Sequence, residues 1–99
     1  MPGQTNQTRQ TREVKVYTTT VCAYCVRAKM LLSKRGIAYE EVNVSNDTAA
    51  RDWLVKATGR KTVPQIFIAG EPIGGSDELV EMDRSGELAK RVFGAAAPG

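Results

Sequence analysis

The chain has 99 residues, of which 41% are hydrophobic; this is enough for one domain with one apolar core, and no apolar run approaches the ~20 residues that span a bilayer. The net charge is +3, and Lys and Arg are scattered along the chain, so the composition gives no indication of a nucleic-acid-binding surface. The absence of histidine and the presence of only two cysteines exclude Cys–His or Ser–His catalysis and a structural zinc site with four Cys or His ligands.

The first 35 residues predict a tail, a strand and a helix. Residues 1–12 are almost entirely polar and cannot offset the entropy of ordering, so we expect a disordered tail. Val14 and Val16 then alternate with Lys15 and Tyr17, which is typical of a strand. A helix is predicted from Ala23 to Arg35, with Gly36 as its stop.

The middle of the chain predicts a second strand and a second helix. Residues 39–44 are rich in β-forming side chains, with Val42 and Val44 on one face. Residues 45–47, Ser-Asn-Asp, offer N-caps for the helix that follows and ends near Gly59. Its apolar residues recur with helical spacing: Ala50, Trp53, Leu54 and Ala57.

The last third of the chain predicts two strands and two helices. Residues 65–69 form a short apolar run of the buried-strand type, and the turn at residues 70–72 leads into a fourth strand. Gly74 and Gly75 end that strand, and a helix follows from Ser76. A final short helix is predicted over residues 86–93, before a second tail at residues 95–99.

This order, β-α-β-α-β-β-α-α, predicts an α/β domain over residues 13–94. A βαβ unit implies a parallel pair of strands with a right-handed crossover. The short link between the last two strands implies an antiparallel hairpin. The predicted fold is therefore a mixed four-stranded sheet with helices on both faces.

The two cysteines occur as Cys22-Ala23-Tyr24-Cys25, where the first strand ends and the first helix begins. A helix N-terminus presents free N–H groups and partial positive charge, which stabilise a thiolate and lower a thiol pKa that is ~8.5 when unperturbed. Arg27 and Lys29 are expected to add positive potential. A C-x-x-C pair in a βαβ context is a redox motif, so we predict dithiol–disulfide chemistry rather than two unrelated buried cysteines.

Two further segments are candidate binding elements. The sequence Thr62-Val63-Pro64 precedes the third strand, and Pro64 is either a strand-entry residue or a cis-proline that exposes the backbone of Val63 for strand-like pairing with an extended peptide. Gly75, Ser76 and Asp77 form a turn and helix cap whose free N–H groups also suit a carboxylate, while Asp77 adds an acceptor for an ammonium group.

Together these elements resemble the glutaredoxin family over about residues 13–94. Three segments carry the likeness: Cys22-Ala23-Tyr24-Cys25, Thr62-Val63-Pro64-Gln65-Ile66-Phe67-Ile68, and Gly74-Gly75-Ser76-Asp77-Glu78-Leu79. The resemblance implies a thioredoxin-like fold and glutathione as cosubstrate. It also implies a monomer whose partners are glutathione, disulfide-containing proteins and glutathionylated proteins. A cytoplasmic location is expected, because no signal peptide opens the sequence.

The resemblance also implies where glutathione binds. It places the glutathione cysteine backbone on Val63 beside Thr62 and cis-Pro64, and the γ-glutamyl end on Gly75, Ser76 and Asp77. Tyr24 is expected to flank the tripeptide. Arg51 falls where the family often has a Gln or Arg that reaches the glycine carboxylate, although a solvated charge on a helix face explains it about as well. No protein side chains are predicted to bind a metal.

Two residues depart from the family pattern. Ala23 replaces the usual proline, and Thr19 replaces a lysine three residues before the first cysteine. Arg51 or Lys61 is expected to compensate for that lysine. In some relatives a small residue at the position of Ala23 accompanies a glutathione-ligated iron–sulfur cluster that bridges two subunits.

The resemblance implies a glutathione-dependent oxidoreductase that reduces protein disulfides and protein–glutathione mixed disulfides. Cys22 is expected to be the exposed nucleophile of lower pKa, and Cys25 the buried resolving thiol. The alternatives are an iron–sulfur cluster carrier or sensor, and a glutaredoxin-like reductant that is itself reduced by thioredoxin reductase.

Overall fold

The computed structural model describes residues 10–94, and its elements follow one another in the predicted β-α-β-α-β-β-α-α order. They are β1 Val14–Thr18, α1 Ala23–Lys34, β2 Glu40–Asn43, α2 Thr48–Thr58, β3 Gln65–Ile68, β4 Glu71–Gly74, α3 Ser76–Ser85 and α4 Glu87–Phe93. Within this part of the chain, no helix is long and apolar enough to cross a membrane.

The four strands form one mixed sheet in the order β2-β1-β3-β4. β1 is parallel to β2 and antiparallel to β3, and β3 and β4 form an antiparallel hairpin. In the central pair, Val14 lies opposite Ile68 and Tyr17 lies opposite Gln65. The end of β1 therefore meets the start of β3 at one edge of the sheet. The predicted α/β fold with a mixed four-stranded sheet is confirmed.

One face of the sheet carries the main core. Alternate residues of the central strands point to this face, because side chains along a strand alternate between its two sides. Three of the four helices cover it, and their residues Leu32, Leu79, Leu88 and Val92 are at most 1% exposed. The buried residues of this core include Val14, Val16, Leu32, Ile66, Ile68, Leu79, Leu88 and Val92.

The opposite face is covered by α2 through an aromatic cluster. The Trp53 ring centroid lies 5.7 Å from those of both Tyr17 and Phe67, and the Tyr17 and Phe67 rings are 5.3 Å apart. Leu54 is buried, but Ala57 is exposed, so the predicted four-residue apolar face of α2 is too wide.

The segment before β1 is attached to the C-terminal helix. The backbone N–H groups of Thr11 and Arg12 donate to the carbonyl oxygen of Val92, at 2.9 and 3.1 Å. The predicted N-terminal tail includes these two residues, because polar side chains give no sign of a backbone hydrogen bond to a distant helix. The rest of that tail, residues 1–9, and the predicted tail at residues 95–99 lie outside the described residues.

The main core predicts a large loss of stability for Leu32→Ala. Leu32 is 0% exposed, so its truncation removes apolar contacts and leaves a cavity, at an expected cost of about 2–5 kcal/mol. Met30 lies on the same helix and is 67% exposed, so Met30→Ala should change stability by less than about 0.5 kcal/mol. Urea unfolding followed by circular dichroism measures both values, and equal losses would contradict the assigned core face of α1.

Candidate active site

Cys22 occupies the N-cap position of α1 and is half-buried. Its backbone is extended, and its Sγ accepts a hydrogen bond from the backbone N–H of Cys25 at 3.1 Å. An N–H donor at this position stabilises negative charge on sulfur, and the partial positive charge of the helix N-terminus acts in the same direction. The sequence therefore places the first cysteine where a thiolate is stabilised.

Cys22 and Cys25 are joined by a disulfide, with their Cα atoms 5.2 Å apart. The two sulfurs differ in environment, because Cys25 is only 2% exposed while Cys22 is partly accessible. An incoming disulfide can approach the sulfur of Cys22 from solvent. The buried sulfur of Cys25 is instead placed to react with Cys22. This difference fits a nucleophile and a resolving thiol.

The loop that leads to Cys22 is held by the end of β2. The backbone N–H of Thr20 donates to Ser45 Oγ at 2.7 Å, and the two side-chain oxygens lie 3.1 Å apart. Asn43 accepts a hydrogen bond from the backbone N–H of Ser45 at 2.9 Å. These contacts fix the approach of the chain to the N-cap cysteine.

The two cations of α1 that follow the motif are engaged elsewhere. Lys29 Nζ donates to both carboxylate oxygens of Glu41, at 3.0 and 3.1 Å, so the positive charge expected from Lys29 is paired with a carboxylate. Hydrogen bonds from Thr18 and then from Lys29 lower the pKa of Glu41. Arg27 lies 5.6 Å from the ring centroid of Tyr24. The donor in direct contact with Cys22 Sγ is the Cys25 N–H at the helix N-terminus.

The segment before β3 lies next to the sulfur of Cys22. The Val63–Pro64 peptide bond is cis, and the carbonyl oxygen of Val63 is 3.7 Å from Cys22 Sγ. The amide of Gln65 donates to the carbonyl oxygen of Thr62 at 3.0 Å, which holds this segment against the start of the strand. Pro64 is therefore a cis-proline, and it also immediately precedes β3.

A groove of about 340 Å³ runs from this segment to the N-terminus of α3. It brings together seven of the predicted binding residues: Tyr24, Thr62, Val63, Pro64, Gly75, Ser76 and Asp77. Arg60 and Glu78 line it as well, and neither was among the predicted site residues. The cysteine motif, the cis-proline segment and the glycine turn therefore form one continuous surface.

Arg51 lies in a neighbouring groove of about 450 Å³, between α2 and the segment before β3. Thr19 and Lys61 line the same groove, and Arg60 and Val63 are shared by the two grooves. Arg51 makes a long contact of 3.5 Å with the carbonyl oxygen of Ser45. Arg51, one of the predicted glutathione-binding residues, thus lies beside the main groove rather than within it.

Comparison with known proteins agrees with this geometry. A sequence model of the family described as Glutaredoxin matches residues 14–73. Glutaredoxin 3 of Escherichia coli K12 is 45% identical over 75 residues, which cover 76% of this chain and 90% of that protein. The chain belongs to the glutaredoxin family. Glutaredoxin 1 of Rickettsia conorii is 46% identical over 77 residues, with 76% of each chain covered.

Solved glutaredoxins share the fold. The buckwheat glutaredoxin in its glutathione complex superposes with a TM-score of 0.79 at 32% identity, covering 89% of this chain and 83% of that one. Reduced glutaredoxin C1 from Populus gives a TM-score of 0.76 at 39% identity, covering 85% and 74%. The predicted thioredoxin-like fold is confirmed, and the protein is a thiol–disulfide oxidoreductase. Among residues 10–94, no group of three or more His, Cys, Asp or Glu side chains is placed to hold a metal ion.

An ion pair lies across the groove of this glutaredoxin. Arg60 Nη1 and Nη2 donate to the two carboxylate oxygens of Glu78, at 3.3 and 3.1 Å, and Glu78 also accepts the backbone N–H of Gly75 at 2.8 Å. These hydrogen bonds lower the pKa of Glu78 to about 2, and the bond from Arg60 makes the largest contribution. The position of Glu78 three residues after the N-cap Gly75 signals a capping box, whereas no local pattern reveals Arg60 as its partner.

The low pKa of Glu78 predicts a specific pH dependence of stability. An ordinary Glu titrates near 4.3, so folding favours the ionised form, and this stabilisation is present above about pH 5 and lost as the pH falls towards 2. The stability difference between the wild type and Glu78→Gln should therefore shrink over that range. Urea unfolding at stepped pH measures it, and a difference that stays constant from pH 6 to pH 3 would contradict the assignment.

Proposed function

We propose that this glutaredoxin uses glutathione to reduce protein disulfides and protein–glutathione mixed disulfides, with Cys22 as the nucleophile. The observation that carries the proposal is the position of Cys22 Sγ at the N-terminus of α1, 3.7 Å from the Val63 carbonyl at the wall of the groove. Glutathione bound in that groove would have its sulfur next to the accessible Cys22. The buckwheat relative, whose structure is a glutathione complex, supports the choice of ligand.

The groove offers complementary groups to an extended γ-glutamyl tripeptide. The backbone of Val63, beside the cis peptide bond, is available for strand-like pairing with the glutathione cysteine. The first turn of α3 offers N–H groups to the γ-glutamyl carboxylate, and the exposed Asp77 offers an acceptor to its ammonium group. Tyr24, which is 57% exposed, forms the side of the groove nearest the cysteine motif.

The neighbouring groove supplies positive charge for the glycine carboxylate of glutathione. Arg51 and Lys61 line it together with Thr19, the residue that stands where the family usually has lysine. Val63 borders both grooves, so a tripeptide paired with Val63 and with its γ-glutamyl end at α3 would extend its glycine end towards these cations. We propose that Arg51 and Lys61 take over the role of the missing lysine.

The first reaction route reduces a protein–glutathione mixed disulfide. The Cys22 thiolate attacks the glutathione sulfur, so a Cys22–glutathione disulfide forms and the protein sulfur leaves as a thiolate that takes a proton from water. A second glutathione thiolate then attacks the bound glutathione sulfur. Glutathione disulfide leaves, and the Cys22 thiolate is regenerated.

The second route reduces a protein disulfide and needs both cysteines. Cys22 attacks one sulfur of the substrate, and the thiolate of Cys25 then attacks Cys22 Sγ, which releases the protein as a dithiol and leaves the Cys22–Cys25 disulfide. One glutathione opens this disulfide at Cys22, and a second removes the first as glutathione disulfide. The burial of Cys25 restricts it to this internal step.

The partners and setting follow from this chemistry. We propose that the protein acts as a monomer on disulfide-containing and glutathionylated proteins in the cytoplasm, where the glutathione pool keeps thiols reduced. The site does not specifically favour either alternative that the sequence raises, the iron–sulfur carrier or the reductant coupled to thioredoxin reductase.

The assignment of the two cysteines predicts opposite behaviour for Cys22→Ser and Cys25→Ser. Cys22→Ser removes the nucleophile and should abolish activity on every disulfide substrate. Cys25→Ser should retain turnover of glutathione mixed disulfides, because the first route needs only Cys22, and should lose most reduction of protein disulfides. The assay couples glutathione oxidation to glutathione reductase and NADPH.

Each serine variant is the control for the other, since both replace sulfur by oxygen at nearly constant volume. Circular dichroism checks that both remain folded. Full activity of Cys22→Ser would overturn the assignment of the nucleophile. Absence of glutathione-dependent turnover in the wild type, with turnover restored by thioredoxin reductase, would overturn the proposed cosubstrate.

A further inference from the structure

The two walls of the groove come from separate parts of the chain. Residues 60–64, before β3, form one wall, and the turn from β4 into α3 forms the other. We propose that Arg60 and Glu78 are positioning residues that hold these walls at the separation glutathione requires. This inference rests on the proposed glutathione dependence. The ion pair together with the Gly75 hydrogen bond is called the clasp below.

The clasp is continuous from one wall to the other. Both guanidinium nitrogens of Arg60 that face Glu78 are within 3.3 Å of its carboxylate oxygens, so the contact is bidentate and fixes orientation as well as distance. The same carboxylate accepts the Gly75 N–H at 2.8 Å. A displacement of the Arg60 wall therefore pulls on the backbone at the N-terminus of α3.

These contacts require a glycine at position 74 and favour one at position 75. Gly74 has φ +116°, and a Cβ built there would lie 2.7 Å from Glu78 Cγ, so a side chain would push Glu78 away from Arg60. A Cβ on Gly75 would lie 3.1 Å from the carbonyl oxygen of Pro64. The glycines thus make room for the Glu78 side chain and for the opposite wall, a role separate from any contact with a ligand.

The clasp also determines which groups stay free for the ligand. Glu78 occupies the Gly75 N–H and balances the charge of Arg60, although both side chains remain partly exposed at the groove, 46% for Arg60 and 40% for Glu78. The γ-glutamyl carboxylate is then left with the N–H groups that follow Gly75 in the first turn of α3. If Arg60 instead bound a glutathione carboxylate directly, replacing Arg60 and replacing Glu78 would affect the KM for glutathione differently.

The test compares Arg60→Gln, Glu78→Gln and the double variant in the glutathione-coupled assay. Loss of the clasp loosens the groove without touching the sulfur chemistry, so each single variant should raise KM for glutathione about two- to fivefold with kcat unchanged, the range that an exposed ion pair supports. The double variant should be no worse than either single one, because both remove the same contact. Glu78→Gln keeps an acceptor for the Gly75 N–H, which isolates the ion pair.

The matched control is a second ion pair on the same helix. Arg84 and Glu81 lie 3.9 Å apart, are about three-quarters exposed, and do not line the groove. Arg84→Gln and Glu81→Gln remove the same charges one or two turns away and should leave KM unchanged. Arg60→Lys retains a charged donor to Glu78 and should recover part of the increase in KM.

A second readout does not depend on turnover. The clasp protects the Gly75 amide, so its hydrogen exchange measured by NMR should be faster in Arg60→Gln than in wild type and unchanged in Arg84→Gln. If the wild type shows no glutathione turnover, the proposed function fails, and this exchange rate still tests the clasp.

Three results would contradict the proposed positioning role of the clasp. The first is unchanged exchange of the Gly75 amide in Arg60→Gln. The second is a KM that rises in Arg60→Gln but falls or stays constant in Glu78→Gln, which would show that Arg60 binds glutathione directly. The third is a loss of kcat with constant KM in both variants, which would indicate damage to the cysteine motif instead of the groove.

Discussion

In the central pair of the sheet, Tyr17 near the end of β1 lies opposite Gln65 at the start of β3. Because the strands are antiparallel, the chain leaves β1 towards Cys22 at the same edge where it arrives at β3 through Val63. Sequence positions about 40 residues apart are thereby held in contact by backbone hydrogen bonds. The rest of the site depends on this pairing, since a shift of register by one residue would move the cis-proline segment away from the reactive sulfur.

Local sequence patterns predicted the order of the elements, the cysteine motif and the glycine turn, because each depends on residues within one turn of helix or one strand. They also assigned Cys22 to the start of α1, where the structure has it. They failed where the partner is distant in sequence. Nothing near Arg60 indicates that it pairs with Glu78, and nothing near Lys29 indicates that Glu41 neutralises it. Side-chain partners across elements follow from packing, which spacing along the chain does not encode.

The two departures from the family pattern have different consequences in this structure. Thr19 removes a cation, yet its groove retains Arg51 and Lys61, so other elements supply positive charge where the proposed binding mode puts the glycine carboxylate. Ala23 is the first residue of α1, and Cys22 still caps the helix with the Cys25 N–H directed at its sulfur. The N-cap geometry and its N–H donor to the sulfur are therefore maintained without a proline.

The central claim is that glutathione occupies the groove with its sulfur on Cys22. It is tested most directly by isotope-filtered NMR of Cys25→Ser after reaction with glutathione disulfide, which traps one glutathione as a stable mixed disulfide. The account predicts contacts from the glutathione cysteine to Val63 and from its γ-glutamyl group to Ser76 and Asp77. A mixed disulfide on Cys22 whose glutathione contacts none of these residues would contradict it.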